Sequence, residues 1–206
     1  AAIGDTHYDT LVDAVDAVQD STATTIKLLK NVDNGDGIII PEDKNITIDF
    51  ATYTYTVTQN LAGSSGSKTQ CFQLLKNSTV VLKNGAIVGN NSSIKMMVQN
   101  YSNLTLENMS LDATKGNNSI YYVSSNNCGK VFVTGDTTIT ATKTGKAFDV
   151  SYWPSAYPAG TQVEINTTGT ITGDIEIGLY GANGTITLPS QSVLNVKNVN
   201  LVGNIT

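Results

Sequence analysis

Apolar and polar residues alternate in short bursts along nearly the whole chain, and one burst returns in recognisable form. In Asn103 to Asp112, read N-L-T-L-E-N-M-S-L-D, apolar side chains stand at Leu104, Leu106, Met109 and Leu111. Near the C-terminus L-N-V-K-N-V-N-L repeats those offsets with Leu194, Val196, Val199 and Leu201. Two alternating pairs separated by a polar two-residue step predict two short strands joined by a tight corner, each turning every second side chain to one side. That is part of one coil of a solenoid. Related strands are N-I-T-I-D at Asn45 to Asp49, T-V-V-L-K at Thr79 to Lys83, K-V-F-V-T at Lys130 to Thr134 and Q-V-E-I-N at Gln162 to Asn166. Their first inward residues, Ile46, Val80, Leu104, Val131, Val163 and Leu194, come 24 to 34 residues apart. Intervals of that size suit coils of three short strands with corner loops of variable length.

A second strand is expected after each of these, at Tyr53 to Val57, Ala86 to Val88, Met109 to Leu111, Thr138 to Thr140, Thr170 to Thr172 and Val199 to Leu201. A third is expected at Phe72 to Leu75, Lys95 to Val98, Tyr121 to Val123, Ala147 to Val150 and Ile175 to Leu179. The reading is an all-β, single-stranded parallel β-helix of about six to seven coils, forming one domain over residues 1–206 with its coils in 24–206. The one helical signal is T-L-V-D-A-V-D-A-V-Q-D, where Leu11, Ala14, Val15 and Val18 share a face. Thr10 followed by Asp13 fits an N-terminal capping pair. A capping helix over 10–20 is therefore expected to cover the open end of the solenoid, which would otherwise expose core and a strand edge.

Composition narrows the function classes. The chain carries a formal net charge of −5, and none of its twelve basic residues is arginine. Binding to nucleic acid through phosphates needs clustered basic residues, so it is not expected. Bidentate guanidinium clamps are unavailable for the same reason. No apolar run approaches the roughly 20 residues of a membrane-spanning helix, so no membrane insertion is expected. The sequence ends at L-V-G-N-I-T with no second helical cap, so the domain is expected to be a fragment of a larger protein, monomeric as a domain. Cys71 and Cys128 fall at different places around the coil and are read as unpaired.

Several stretches bear on chemistry. The segment S-Y-W-P-S-A-Y-P-A-G holds the only tryptophan of the chain, and Tyr152, Trp153 and Tyr157 are its candidate ligand-binding residues. Flat aromatic faces with polar edges are what stacking on sugar rings requires; a local mini-core over Trp153 is the competing reading. Asp33 and Asp36 in D-N-G-D-G have the spacing of a partial calcium loop. The downstream bidentate carboxylate is missing, and Asn-Gly and Asp-Gly pairs favour a tight turn. Asp49, Glu107 and Glu164 are the candidate carboxylates for glycoside hydrolysis. Asp49 and Glu107 occupy equivalent places two coils apart with Lys83 between them, which reads more simply as a solvated, charge-compensated row. His7, the only histidine, precedes the helix and is read as a surface residue. No cofactor is implied.

The opening I-G-D-T-H-Y-D-T-L-V-D-A-V-D-A-V, then T-I-K-L-L-K-N-V, then I-I-I-P-E-D-K-N-I-T-I-D, resembles a module of large cell-surface and secreted proteins of Gram-positive gut bacteria. That module looks like the right-handed parallel β-helix of the pectin-lyase-like superfamily. The likeness implies right-handed coils, an extracellular location, and glycans or host surface molecules as partners. The superfamily's lyases use an arginine base, and its polygalacturonase-type hydrolases carry N-T-D, D-D, G-H-G and R-I-K motifs; this sequence has none of these. A non-enzymatic adhesive or glycan-binding module is therefore expected, with a polysaccharide-degrading enzyme and a purely structural stalk as alternatives.

Overall fold

In the computed structural model the chain forms a β-solenoid whose strands stack in parallel; it describes residues 1–116, 122–126, 129–142, 145–152, 162–179 and 192–206. Three stacks run along the axis. The first joins Thr24–Lys27, Asn45–Asp49, the opening half of Thr79–Gly89, the opening half of Asn103–Asp112, Lys130–Thr134, Gln162–Asn166 and Val193–Lys197. The second joins Val32–Asp36 and Thr54–Gln59 to the closing halves of those two long strands, then Thr138–Thr140, Thr170–Thr172 and Asn200–Val202. The third joins Ile38–Ile40, Gln70–Leu74, Met96–Asn100, Tyr122–Asn126, Lys146–Tyr152 and Asp174–Leu179.

The period-two alternation sets the register, because a slip of one residue would turn the whole apolar set of a strand outward. Ile46, Val80, Leu104, Val131, Val163 and Leu194 pair rung by rung as the sequence predicts. A parallel ladder runs beside it through Ile48, Leu82, Leu106, Val133, Ile165 and Val196. Tyr55, Ile87, Leu111, Ile139, Ile171 and Leu201 form the ladder of the second stack. These rungs are buried, except that Leu194, Val196 and Leu201 at the C-terminal end are half-buried. Each fully buried aliphatic side chain contributes about 1.5–3 kcal/mol, so the ladders dominate stability.

The corner between the first and second stacks explains the recurring polar step. Asn84, Asn108 and Asn198 have φ of 60°, 52° and 52°, the left-handed region that asparagine tolerates better than most residues. Two of these amides reach back to the preceding coil: Asn84 Nδ2 donates to Asp49 Oδ1 at 3.2 Å, and Asn198 Nδ2 donates to Asn166 Oδ1 at 2.9 Å. Where the corner is longer, buried threonine hydroxyls take over. Thr137 Oγ1 donates to the Thr134 carbonyl at 2.7 Å and accepts the Met109 N–H at 3.1 Å.

The N-terminal end departs from expectation in two ways. The helix is Leu11–Asp16, six residues rather than the whole of 10–20, with a capping box between Thr10 and Asp13 and a cap at Ala17. The chain must leave the helix early to reach the first strand at Thr24, although Val18 still buries with Leu11, Ala14 and Val15. Ala2–Ile3 and Thr6–His7 form a short antiparallel hairpin, and Ala2–Ile3 pairs with Ile26–Lys27. This hairpin, absent from the sequence reading, covers the edge of the first stack.

Candidate functional site

The carboxylates singled out in the sequence lie on the outward face of the first stack, in two different rows. Lys27, Asp49, Lys83, Glu107 and Thr134 are neighbours in register, so each carboxylate stands between polar or cationic positions. Asp49 and Glu107 are two strands apart, about 9.6 Å by strand spacing. Glu164 belongs to a separate row, paired with Phe132 and Asn195. The Asp49 carboxylate is already engaged, accepting the Ala51 N–H at 2.9 Å and the Asn84 amide at 3.2 Å. The adjoining depression, floored by Ala51, Gly85 and Ala86, is shallow and wide open. Nothing there encloses a substrate or brings two carboxylates face to face.

The third stack carries a different constellation. Ile39, Gln73, Gln99, Ser125, Asp149 and Glu176 follow one another in register along the axis. In the strands Gln70–Leu74 and Lys146–Tyr152 this row alternates with core residues, Phe72 and Leu74 on one strand and Phe148 and Val150 on another. Gln73 Nε2 donates to Gln99 Oε1 at 2.8 Å, and Gln99 Nε2 donates to the Tyr101 hydroxyl at 3.0 Å. Asp149 is 5% exposed, and its neighbour Glu176 makes an ion pair with Lys146. Two carboxylates and a lysine thus meet on adjacent strands. The sequence reading missed them, although F-D-V and I-E-I each show one carboxylate between apolar residues. Variable loops between the strands hide which charges become neighbours.

The aromatic candidates adjoin this face in the chain. Tyr152 is the last residue of Lys146–Tyr152, three residues beyond Asp149 on the same strand, whereas Trp153 and Tyr157 lie outside the described residues. Cys128 lies outside them too. Cys71 is a buried free thiol, with Sγ 3.7 Å from Met97 Sδ, and burial pushes its ionisation far above the ordinary range.

The other candidates are dispersed. D-N-G-D-G is a strand, Val32–Asp36, rather than the expected turn, because it pairs with Thr54–Gln59 through two register irregularities. A side chain at Gly35 would come within 2.6 Å of the Tyr55 ring, so glycine is needed there for packing. Asp33 is exposed, and Asp36 Oδ1 accepts the Asn60 amide at 3.0 Å. Among the described residues no group of three or more His, Cys, Asp or Glu side chains is placed to hold a metal ion. His7 is exposed in the N-terminal hairpin. No helix among the described residues is long and apolar enough to cross a membrane. No family model, curated protein or solved structure matches the chain.

Proposed function

We propose that the chain is a non-enzymatic, glycan-binding module of a cell-surface or secreted protein, and that it binds along the outward face of the third stack and the aromatic segment 151–160. The carrying observation is the polar row on that face: the Gln73–Gln99–Tyr101 chain of hydrogen bonds, in line with Asp149 and Glu176. Gln99 and Glu176 are half-buried on that face and offer an amide and a carboxylate to vicinal sugar hydroxyls, while the buried Gln73 holds the Gln99 amide in place. Rows repeat about every 4.8 Å, so a polymer lying along the axis meets polar groups coil after coil. The strand that bears Asp149 leads into Tyr152 and on to Trp153 and Tyr157, which supply rings for stacking. We infer further that the solenoid is right-handed, has six to seven coils and is of the pectin-lyase-like type, in keeping with the likeness of its first fifty residues.

The test is a glycan array of plant and mucin polysaccharides probed with the chain and with a Trp153→Ala, Tyr157→Ala variant. Binding that the variant loses, with an unchanged circular dichroism spectrum, is expected. Failure of the chain to bind any glycan would overturn the reading and favour a structural stalk.

A second reading has its own support. Asp149 and Glu176 pair in register on adjacent strands, and two neighbouring carboxyl groups are what glycoside hydrolysis requires. Under that reading the chain releases reducing ends from the polysaccharide it binds, and Asp149→Asn abolishes the release.

A further inference from the structure

The N-terminal edges of the three stacks are treated differently. The hairpin Ala2–Ile3 and Thr6–His7 pairs onto the first stack, and the helix Leu11–Asp16 packs against Ile38–Ile40 of the third. The first strand of the second stack, Val32–Asp36, pairs with Thr54–Gln59 and with no other described strand. Its other edge opens into a cleft of about 400 Å³ between the segment Leu28–Asp36 and the start of the helix.

That cleft has an apolar floor and an acidic rim. Leu11, Leu28 and Tyr55 line it from below, Val12 and Val32 are half-buried in its wall, and Leu29 is 42% exposed beside it. Asp9, Asp33 and Asp36 border it against a single lysine, Lys30. The Ala1 ammonium, also in the lining, donates to the Tyr8 carbonyl at 2.9 Å and adds a second positive charge, leaving three carboxylates against two cations. A free strand edge offers a row of backbone donors and acceptors to another extended segment, and nearby side-chain pockets select its residues.

We propose that this cleft is a strand-addition site for a short extended peptide segment carrying a basic side chain. The peptide backbone pairs with the free edge of Val32–Asp36, an apolar side chain packs on Leu28 and Val32, and a lysine or arginine faces Asp9 and Asp33. The register irregularities confine pairing to a few residues and so favour a short segment over open-ended sheet growth. This reading is independent of glycan binding, which it places on another stack.

The test uses the full chain, labelled with ¹⁵N and titrated with an acetylated, amidated Thr-Val-Lys-Val-Lys-Thr peptide. Two control peptides are used: one with Glu in place of Lys, and one N-methylated at alternate backbone amides. The expected result is saturable shift changes confined to residues 9–12 and 28–36. The Glu peptide and the N-methylated peptide should each bind at least tenfold more weakly, as should the parent peptide to an Asp9→Lys, Asp33→Lys variant whose spectrum is otherwise unchanged. Equal binding of the three peptides would overturn the proposal. So would an absence of shifts at millimolar peptide, which would mean that the irregular acidic strand only shields the edge.

Discussion

Replacing Asn108 separately by alanine and by glycine tests the corner geometry on which the coil depends. Asn108 sits at φ 52°, where an ordinary side chain costs about 1–2 kcal/mol. Its Oδ1 also accepts the Asp136 N–H at 3.0 Å, a contact worth about 0.5–1.5 kcal/mol and, at this exposed site, nearer the lower figure. Asn108→Ala loses both and is expected to destabilise by about 2 kcal/mol, lowering the melting temperature by roughly 4–8 °C. Asn108→Gly keeps the backbone unstrained, loses the amide and gains unfolded-state freedom, for a cost of about 1 kcal/mol. The order is the diagnostic point, since in an ordinary strand glycine is the worse residue by about 0.5–1 kcal/mol. Urea unfolding followed by circular dichroism, with unchanged slopes, measures both. Glycine proving worse than alanine would refute a left-handed corner at Asn108.

Thr52 carries a β-branched side chain at φ 73°, so Thr52→Asn should raise the melting temperature; a fall would contradict the strain assigned there. Leu104→Ala, at a fully buried rung between Val80 and Val131, should cost about 2–5 kcal/mol by urea titration, and a cost near zero would mean the ladder is not close-packed. Burial, then the nearby Asp36, raises the ionisation of the Tyr55 phenol well above its usual value of about 10. Its contribution to stability is therefore complete below about pH 10 and declines as the pH rises beyond that, because the unfolded chain ionises first. Tyr55→Phe, at some cost from the lost bond to the Asp36 carbonyl, should flatten the alkaline fall in stability, and an unchanged slope would contradict the assignment.

Much of the fold was legible because a period of two leaves little choice. Once Ile46, Val80 and Leu104 are assigned inward, their neighbours must face out, and the stacked register follows. The corner was legible as a polar step, and asparagine at Asn84, Asn108 and Asn198 supplies the left-handed residue it needs. Local preference failed where tertiary pairing outweighed it. D-N-G-D-G favours a turn, yet it becomes a strand because Gly35 lets the Tyr55 ring close over it and Thr54–Gln59 offers a partner. Strands of two residues, such as Ala2–Ile3, carry no periodicity and could not be read. The meeting of Asp149 and Glu176 depends on pairing across a long and variable connection, which spacing along the chain does not reveal.

The central claim, binding along the third stack without cleavage, is most directly tested by native electrophoresis in gels containing an array-positive polysaccharide, followed by sizing of the polymer recovered from the protein band. The account predicts that the chain is retarded, that Trp153→Ala, Tyr157→Ala is not, and that the polymer keeps its length. A shortened polymer would contradict the account and assign Asp149 and Glu176 to hydrolysis.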